Sequence, residues 1–470
     1  MRLALVGLGA LAIAGHALAA EGVKEVVSGG AEREATAITV YNDDLALVKE
    51  RRKISLPGGL TRLSLREVSG QMRPETALLR AVGGHPLTLV EQNFDFDLLT
   101  PGKLLEKYVG REVTVIRSHP TTGEERREKA TVLSANNGTV LRFADRIETG
   151  APGRIVFDTV PANLRDRPTL SVLLEAAGGP QSLELSYLTG GLSWKADYVA
   201  NLSPDSRQMD LSGWVTLTNR SGTGYDNASL QLVAGTVNRL RPKEPIMPYA
   251  MAAPAPVPRR LEVAQEALMD YHLYSFERPT SIADNQTKQL ALLSASAIPV
   301  RRSYLLAGSD WYYRERYGQI GQKLKPAVMV EFDNKGGQLG KPLPAGVVRV
   351  YAKDSKGAAQ FVGEDRIEHT AKNETVKLRL GEAFDITAER KQTAYRKLAD
   401  NLAESSYRID LRNAKDEPVT VRVQEPLPGD WEMVQESQRH TRESSRVAAW
   451  NVEVPANGAA VLEYTVRTKW

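Results

Sequence analysis

Val215-Thr216-Leu217-Thr218-Asn219 runs straight into Arg220-Ser221-Gly222, and the reading of this stretch decides the reading of the chain. Apolar and polar residues alternate with a period of two, which sends successive side chains to opposite faces of a half-buried strand. The alternation then stops on an asparagine and a polar, glycine-containing turn. The same design returns at Val330-Glu331-Phe332-Asp333-Asn334 before Lys335-Gly336-Gly337, and at Ile409-Asp410-Leu411-Arg412-Asn413 before Ala414-Lys415-Asp416. Asparagine can bond its own backbone and tolerates a left-handed conformation, so each is expected to end a strand at a corner. Second strands follow at Ser229 to Val233 and Val419 to Val423. The three runs are too far apart and too unevenly spaced for a solenoid or propeller. They predict β-sandwich modules.

Alternation continues in both directions. Ile38 to Tyr41, Leu45 to Val48 and Arg62 to Arg66 read as strands, with Pro57-Gly58-Gly59 turning between the last two. Lys103 to Val109 has helical spacing. Glu112 to Ile116, Lys129 to Ala135 and Thr139 to Phe143 follow it, and Asn136-Asn137-Gly138 marks a hairpin between the last two runs. One short helix followed by short strands predicts a small closed barrel of the SH3 or Sm kind. Toward the C-terminus Tyr407 to Leu411, Val419 to Glu425, Ala448 to Val454 and Ala459 to Arg467 predict an immunoglobulin-like module anchored by Trp431 and Trp450, with Pro455-Ala456-Asn457-Gly458 closing its last hairpin. Trp194 and Trp214 are expected in the core. Prolines crowd Arg241 to Pro258 and predict an extended linker. Leu261, Ala264, Leu268 and Tyr271, and again Arg390 to Ala403, have helical spacing.

The chain is thus expected to be mainly β. Its predicted organisation is a signal peptide (1–20), an N-terminal β domain (36–98), a small barrel (99–160), a β-sheet part (168–240), a Pro-rich linker (241–260), a central β-rich part (261–400) and an immunoglobulin-like sandwich (403–470). The first segment has Arg2, an apolar run from Leu3 to Gly15, and small residues up to Ala20. That order is the mark of a secretory signal, and His16 interrupts the run short of the about 20 residues needed to span a bilayer. The predicted location is the periplasm or surface of a Gram-negative-type bacterium, with no transmembrane segment after cleavage. Cysteine is absent, which removes disulfides, thiolate nucleophiles and Cys-ligated zinc. Lys and Arg total 61 against 57 acids, a net charge of +4. The doublets Arg51-Arg52, Arg126-Arg127, Arg259-Arg260 and Arg301-Arg302 are scattered among acids and read as solvated faces, so nucleic acid is not an expected partner.

Longer motifs carry a resemblance. Leu185-Ser186-Tyr187-Leu188-Thr189-Gly190-Gly191-Leu192-Ser193-Trp194, Gly213-Trp214 with the strand to Asn219, Tyr225 to Gly235, Glu425-Pro426-Leu427-Pro428-Gly429-Asp430-Trp431 and the early Val40 to Val48 resemble the domain of unknown function 4139 family. The resemblance runs from roughly Thr36 to the C-terminus. Some relatives are labelled mucoidy inhibitors, which implies a link to exopolysaccharide. Those relatives carry a long coiled coil, whereas this sequence has a small-barrel pattern in its place. The family implies no catalytic residues.

Catalytic chemistry finds no constellation. His85, His119, His272, His369 and His440 include no i, i+4 pair and no His-Glu-x-x-His. Gly191-Leu192-Ser193-Trp194-Lys195 lacks the final glycine of a nucleophile elbow. Lys335 to Pro342 departs from a phosphate loop at both ends and reads as a hairpin turn. No metal site or cofactor is expected. Asp43-Asp44, Asp95 with Asp97, and Glu364-Asp365 remain as paired carboxylates that a polysaccharide hydrolase could use. In the final strand, Leu462, Tyr464, Val466 and Trp470 invite comparison with an outer-membrane barrel. The leading expectation is a non-enzymatic module that binds an envelope protein or glycan. Its candidate residues are Trp311, Tyr312, Tyr313, Arg314 and Tyr317, which gather aromatic rings beside Arg in a chain only 6% aromatic. Were the segment a strand, Trp311 and Tyr313 would point one way and Tyr312 the other.

Overall fold

A computed structural model describes residues 23–83, 86–95, 97–136, 138–150, 153–161, 164–235, 263–268 and 271–470. The signal segment (1–20) and the Pro-rich linker therefore lie outside the described residues, and the helical spacing at 261–271 does not make a helix, since Val263–Leu268 is a strand paired with Tyr271–Phe276. Strands dominate what is described, and Pro101–Lys107 is the only α-helix there. No helix among the described residues is long and apolar enough to cross a membrane.

The chain divides into two compact units. The first takes residues up to 36, 47–189 and 221–223. In it, Gly59–Arg66 lies between Lys24–Ser28, its parallel partner, and Thr169–Ala176, which pairs in turn with Leu87–Asp95. Gly59, at φ +88°, makes the turn expected at Pro57-Gly58-Gly59. The helix Pro101–Lys107 starts at Thr100, whose hydroxyl accepts from Lys103 N at 3.2 Å. It leads into a five-stranded sheet in the order Ile147–Thr149, Val140–Arg142, Glu125–Ser134, Glu112–Ser118, Arg154–Val156. The expected closed barrel is instead an open sheet. Its two outer members are three residues each, and neither pairs with the other. Tyr108, Val113, Val115, Val132, Leu141 and Phe143 form its own small core.

The second unit holds residues 37–46, 190–220 and 224–470. One five-stranded sheet runs Gln286–Pro299, Gln208–Asn219, Leu192–Leu202, Gly346–Lys353, Ala359–Ile367. Alternation puts Val215 and Leu217 inside, so Trp214 falls on the opposite face and is only half-buried, whereas Trp194 is in the core. A six-stranded sheet runs Thr375–Glu382, Ala327–Asp333, Arg301–Ala307, Val419–Pro426, Val447–Val454, Thr441–Ser444, and a five-stranded one Gln319–Leu324, Ile386–Ala399, Leu402–Asn413, Ala459–Lys469, Asp430–Glu436. Residues of these last two share one core that includes Tyr304, Ile386, Tyr407, Trp431, Trp450 and Tyr464.

Three expectations change here. Residues 390–403 are the tip of a hairpin: Ile386–Ala399 turns at 400–401 and pairs with Leu402–Asn413, and its alternating Ile386, Ala388, Arg390 and Gln392 all point inward. Pro455 to Gly458 does not close a hairpin, because the strands on either side belong to different sheets. The recurrent asparagines also have another role. None has positive φ. All three are buried where the chain leaves one sheet for another, and besides the local turn bond expected of them, which Asn413 makes by accepting from Lys415 N at 3.0 Å, they bond carbonyls of segments four or more residues away. Asn219 Nδ2 donates to Ala283 O at 3.0 Å. Asn334 Nδ2 donates to Lys341 O and Ala371 O at 2.8 and 2.9 Å. Asn413 Nδ2 reaches Glu417 O at 2.8 Å and Pro455 O at 2.9 Å. Chain that switches sheets has no ladder partner at the corner, and the side-chain amide supplies one.

Candidate functional site

The aromatic run begins where Arg301–Ala307 ends. Tyr304 to Ala307 pair in parallel with Val421 to Gln424, and Gly308 N donates to Gln424 O at 2.7 Å. A Cβ on Gly308 would collide with the Glu425 carboxylate, so glycine is what lets the chain pass over this acid. Asp310–Tyr313 then form one turn of 3-10 helix. Such a turn repeats every three residues, so the three rings point in three directions around it instead of alternating as in a strand.

Tyr313 goes inward and is fully buried. Its hydroxyl donates to Glu425 Oε2 at 2.8 Å and lies 3.0 Å from the Tyr464 hydroxyl. Arg390 Nη2 donates to Glu425 Oε1 at 2.7 Å, with both side chains out of contact with water. Burial pushes the Glu425 carboxyl above the usual carboxylate range, although Arg390 and Tyr313 pull it partly back. Burial acts to lower Arg390, but Glu425 and the surrounding tyrosines outweigh it and raise the guanidinium further. Beneath the pair the rings of Tyr407, Tyr464 and Trp450 stack, with centroids 5.2 and 4.8 Å apart.

The same groups hold the backbone of the turn. Arg390 Nη1 reaches Ala307 O at 3.4 Å and the Tyr312 hydroxyl at 3.3 Å, and its guanidinium lies 5.0 Å from the Tyr312 ring centroid. Tyr407 donates its hydroxyl to Tyr312 O at 2.6 Å. Gln392 donates to Glu315 O at 3.0 Å and accepts from Tyr317 N at 2.7 Å. Tyr395 donates to Arg314 O at 2.8 Å.

On the outside stand Trp311 and Tyr317, 44% and 37% exposed. Their centroids are 4.9 Å apart at 80°, and Tyr312 sits edge-on to Trp311 from 4.5 Å. Arg314 is exposed beside them and pairs with Asp310 at 2.8 Å. The structure thus brings Trp311, Tyr312, Arg314 and Tyr317 together at the surface and assigns Tyr313 to the interior. The supporting residues Arg390, Gln392, Tyr407, Glu425 and Tyr464 were not singled out from sequence. A usable signal was present: Arg390 and Gln392 continue the inward set Ile386, Ala388, and Glu425 continues Val419, Val421, Val423. A charge in register with buried apolar positions marks a buried ion pair. Glu50 and Arg52 obey the same rule between Val48 and Ile54, and they pair at 2.6 Å with almost no exposure. Arg52 is therefore not on a solvated face.

The acid pairs are engaged elsewhere. Asp95 pairs with Arg165 at 3.2 Å and Asp97 with Lys107 at 2.8 Å. Glu364 pairs with Arg349 at 3.2 Å, and Asp365 accepts from the amides of Arg366 and Arg379. Asp44 accepts from Gly191 N at 2.8 Å. Among the described residues no three His, Asp or Glu side chains come together as a metal site. Leu462, Tyr464 and Val466 face the core between Leu402–Asn413 and Asp430–Glu436, as members of an open sheet.

Fold and turn define a mainly β protein of several sheets, with an exposed aromatic turn mounted on buried charge. A family model described as Domain of unknown function (DUF4139) matches residues 183–470, more than half of the chain, and the chain belongs to that family. No curated protein matches the chain.

Proposed function

We propose that this chain is an exported, non-enzymatic protein of the bacterial envelope that binds a glycan through the turn at 310–317. The observation that carries the reading is the exposed Trp311 and Tyr317 pair on a backbone held from below by Gln392, Tyr395 and Tyr407. A flat aromatic face takes the apolar face of a sugar ring, and adjacent Arg314 and Asp310 offer a donor and an acceptor for its hydroxyls. A turn already ordered loses little conformational freedom on binding. The signal-like start of the sequence supports export. Cation-paired acids disfavour a carboxylate hydrolase.

The test is an envelope-glycan array probed with the wild-type chain and with the double variant Trp311→Ala, Tyr317→Ala. Binding is expected to weaken by about thirtyfold or more, the loss of a surface hot spot, while the melting temperature stays within a few degrees. Glycan binding that survives the double variant overturns the reading. A photo-crosslinker at residue 317 that captures one envelope protein in cells, with no glycan bound on the array, replaces the glycan by a protein partner.

A further inference from the structure

The second unit has a cleft of about 640 Å3 that shares no residue with the aromatic turn. Its floor is one cross-strand row, in which Thr387 lies beside Arg412 and Arg412 beside Ala459. The loop carrying Phe384 and Asp385 forms one wall, and the Asn457-Gly458 turn forms another. Asn457 adopts φ +48° and donates to Asp416 at 3.0 Å, so this wall is fixed.

Two features of the cleft are unusual for a surface. Phe384 is 82% exposed, the highest value of any large apolar side chain among the described residues, against 54% for Phe361. Covering such a ring removes apolar surface from water and is favourable, so Phe384 offers an apolar contact to any partner that enters the cleft. The second feature is Arg412. Four residues earlier on the same strand, Arg408 is held by Asp410 and Glu463 at 2.9 Å each. Arg412 has no carboxylate within ion-pair distance among the described residues. Two lysines nearby share its sign, and the acids Asp385, which lines the cleft, and Asp416, held by Asn457, oppose it. Lys325 lies 4.8 Å from the Phe384 ring centroid, and Lys415 approaches Asp385 only to 4.0 Å.

We propose that this cleft binds an acidic peptide segment, with the carboxylate of an Asp or Glu on Arg412 and a neighbouring apolar side chain on Phe384. A guanidinium presents paired N–H donors that match a carboxylate in two parallel hydrogen bonds. An apolar ring alongside selects the next side chain by burial. Of the other polar lining residues, Asn413 and Asn457 are committed to bonds within the fold, which leaves only Thr387 and Asp385. A sugar, which needs a partner for most of its hydroxyls, fits such a lining poorly. A peptide that needs one strong polar contact and one apolar contact fits it well.

Random heptapeptides displayed on phage and selected on the full chain test this directly. The expected winners carry Asp or Glu next to an apolar or aromatic residue. Against a selected peptide, Arg412→Gln and Phe384→Ala are each expected to weaken binding by about tenfold or more, with Arg412→Lys retaining part of it. Higher salt should weaken the wild-type complex. Replacing the acid of the peptide by its amide is expected to cost as much as Arg412→Gln, a comparison independent of whether the variant folds well. The Trp311→Ala, Tyr317→Ala double variant should leave this affinity unchanged, which separates the cleft from the aromatic turn. Winners without acids, affinity indifferent to the amide replacement, or an oligouronate that binds through Arg412 where no peptide does would each overturn the proposal.

Discussion

Glu425 concentrates the energetics of the site. A carboxylate taken from water is costly unless paired and hydrogen-bonded, and this one receives Arg390 and Tyr313. Glu425→Ala would leave the Arg390 guanidinium buried without its counter-charge, and should cost about 3–5 kcal/mol in urea denaturation. Glu425→Gln keeps the shape and removes the charge, and its effect should depend on pH. Because burial raises the folded carboxyl, the folded state holds that proton more tightly than the unfolded chain. The contribution is full below the ordinary carboxylate value and fades as pH rises through the higher folded value. Wild type should therefore lose stability relative to Glu425→Gln across that rise, and a gap constant with pH would show that the carboxyl is not raised. Tyr313→Phe removes one hydrogen bond to a charged group and should cost about 1.5–3 kcal/mol.

At the scale of elements, the corners matter as much as the strands. Asn413 ties the end of Leu402–Asn413 to the segments at Glu417 and Pro455. Asn413→Ala should cost about 2–4 kcal/mol by stranding buried carbonyls. Asn413→Asp should cost a similar amount, since aspartate keeps the shape but loses the amide donors; thermal unfolding of both variants checks this. The strands themselves were legible because alternation is local: Leu402–Asn413 buries every second side chain from Ala403 to Asn413. Residues 390–403 were not legible as strand. Tyr395, Leu398 and Leu402 have helical spacing, but beyond Gln392 the strand is largely exposed and its apolar residues do not report a buried face. The destination of each corner was equally hidden, since a turn of the same residues can close a hairpin or cross between sheets.

For the whole molecule, carboxylates held by guanidinium groups set the acid limit. Arg301 foremost holds Asp333 below the usual range, Arg117 holds Glu148 and Arg467 holds Glu404. Their contribution is present above the ordinary carboxylate values and is lost as pH falls through the lower folded ones, opposite in sign to Glu425. The melting temperature should therefore fall as pH drops from about 5 towards 3, and less steeply in high salt, which already screens these exposed pairs. A melting curve insensitive to acid would reject that account. The candidate site was legible as composition only: four aromatic residues near one another, with no indication of which faced outward. Taken alone, the sequence determined that this chain pairs short alternating strands around cysteine-free interiors, because side-chain periodicity is a property of neighbouring residues. Tertiary structure alone decided that Tyr313 would be buried while Trp311 and Tyr317 stayed outside. That choice depends on Glu425 and Arg390, which sequence places far away and only the folding of two sheets around one core brings beneath the turn.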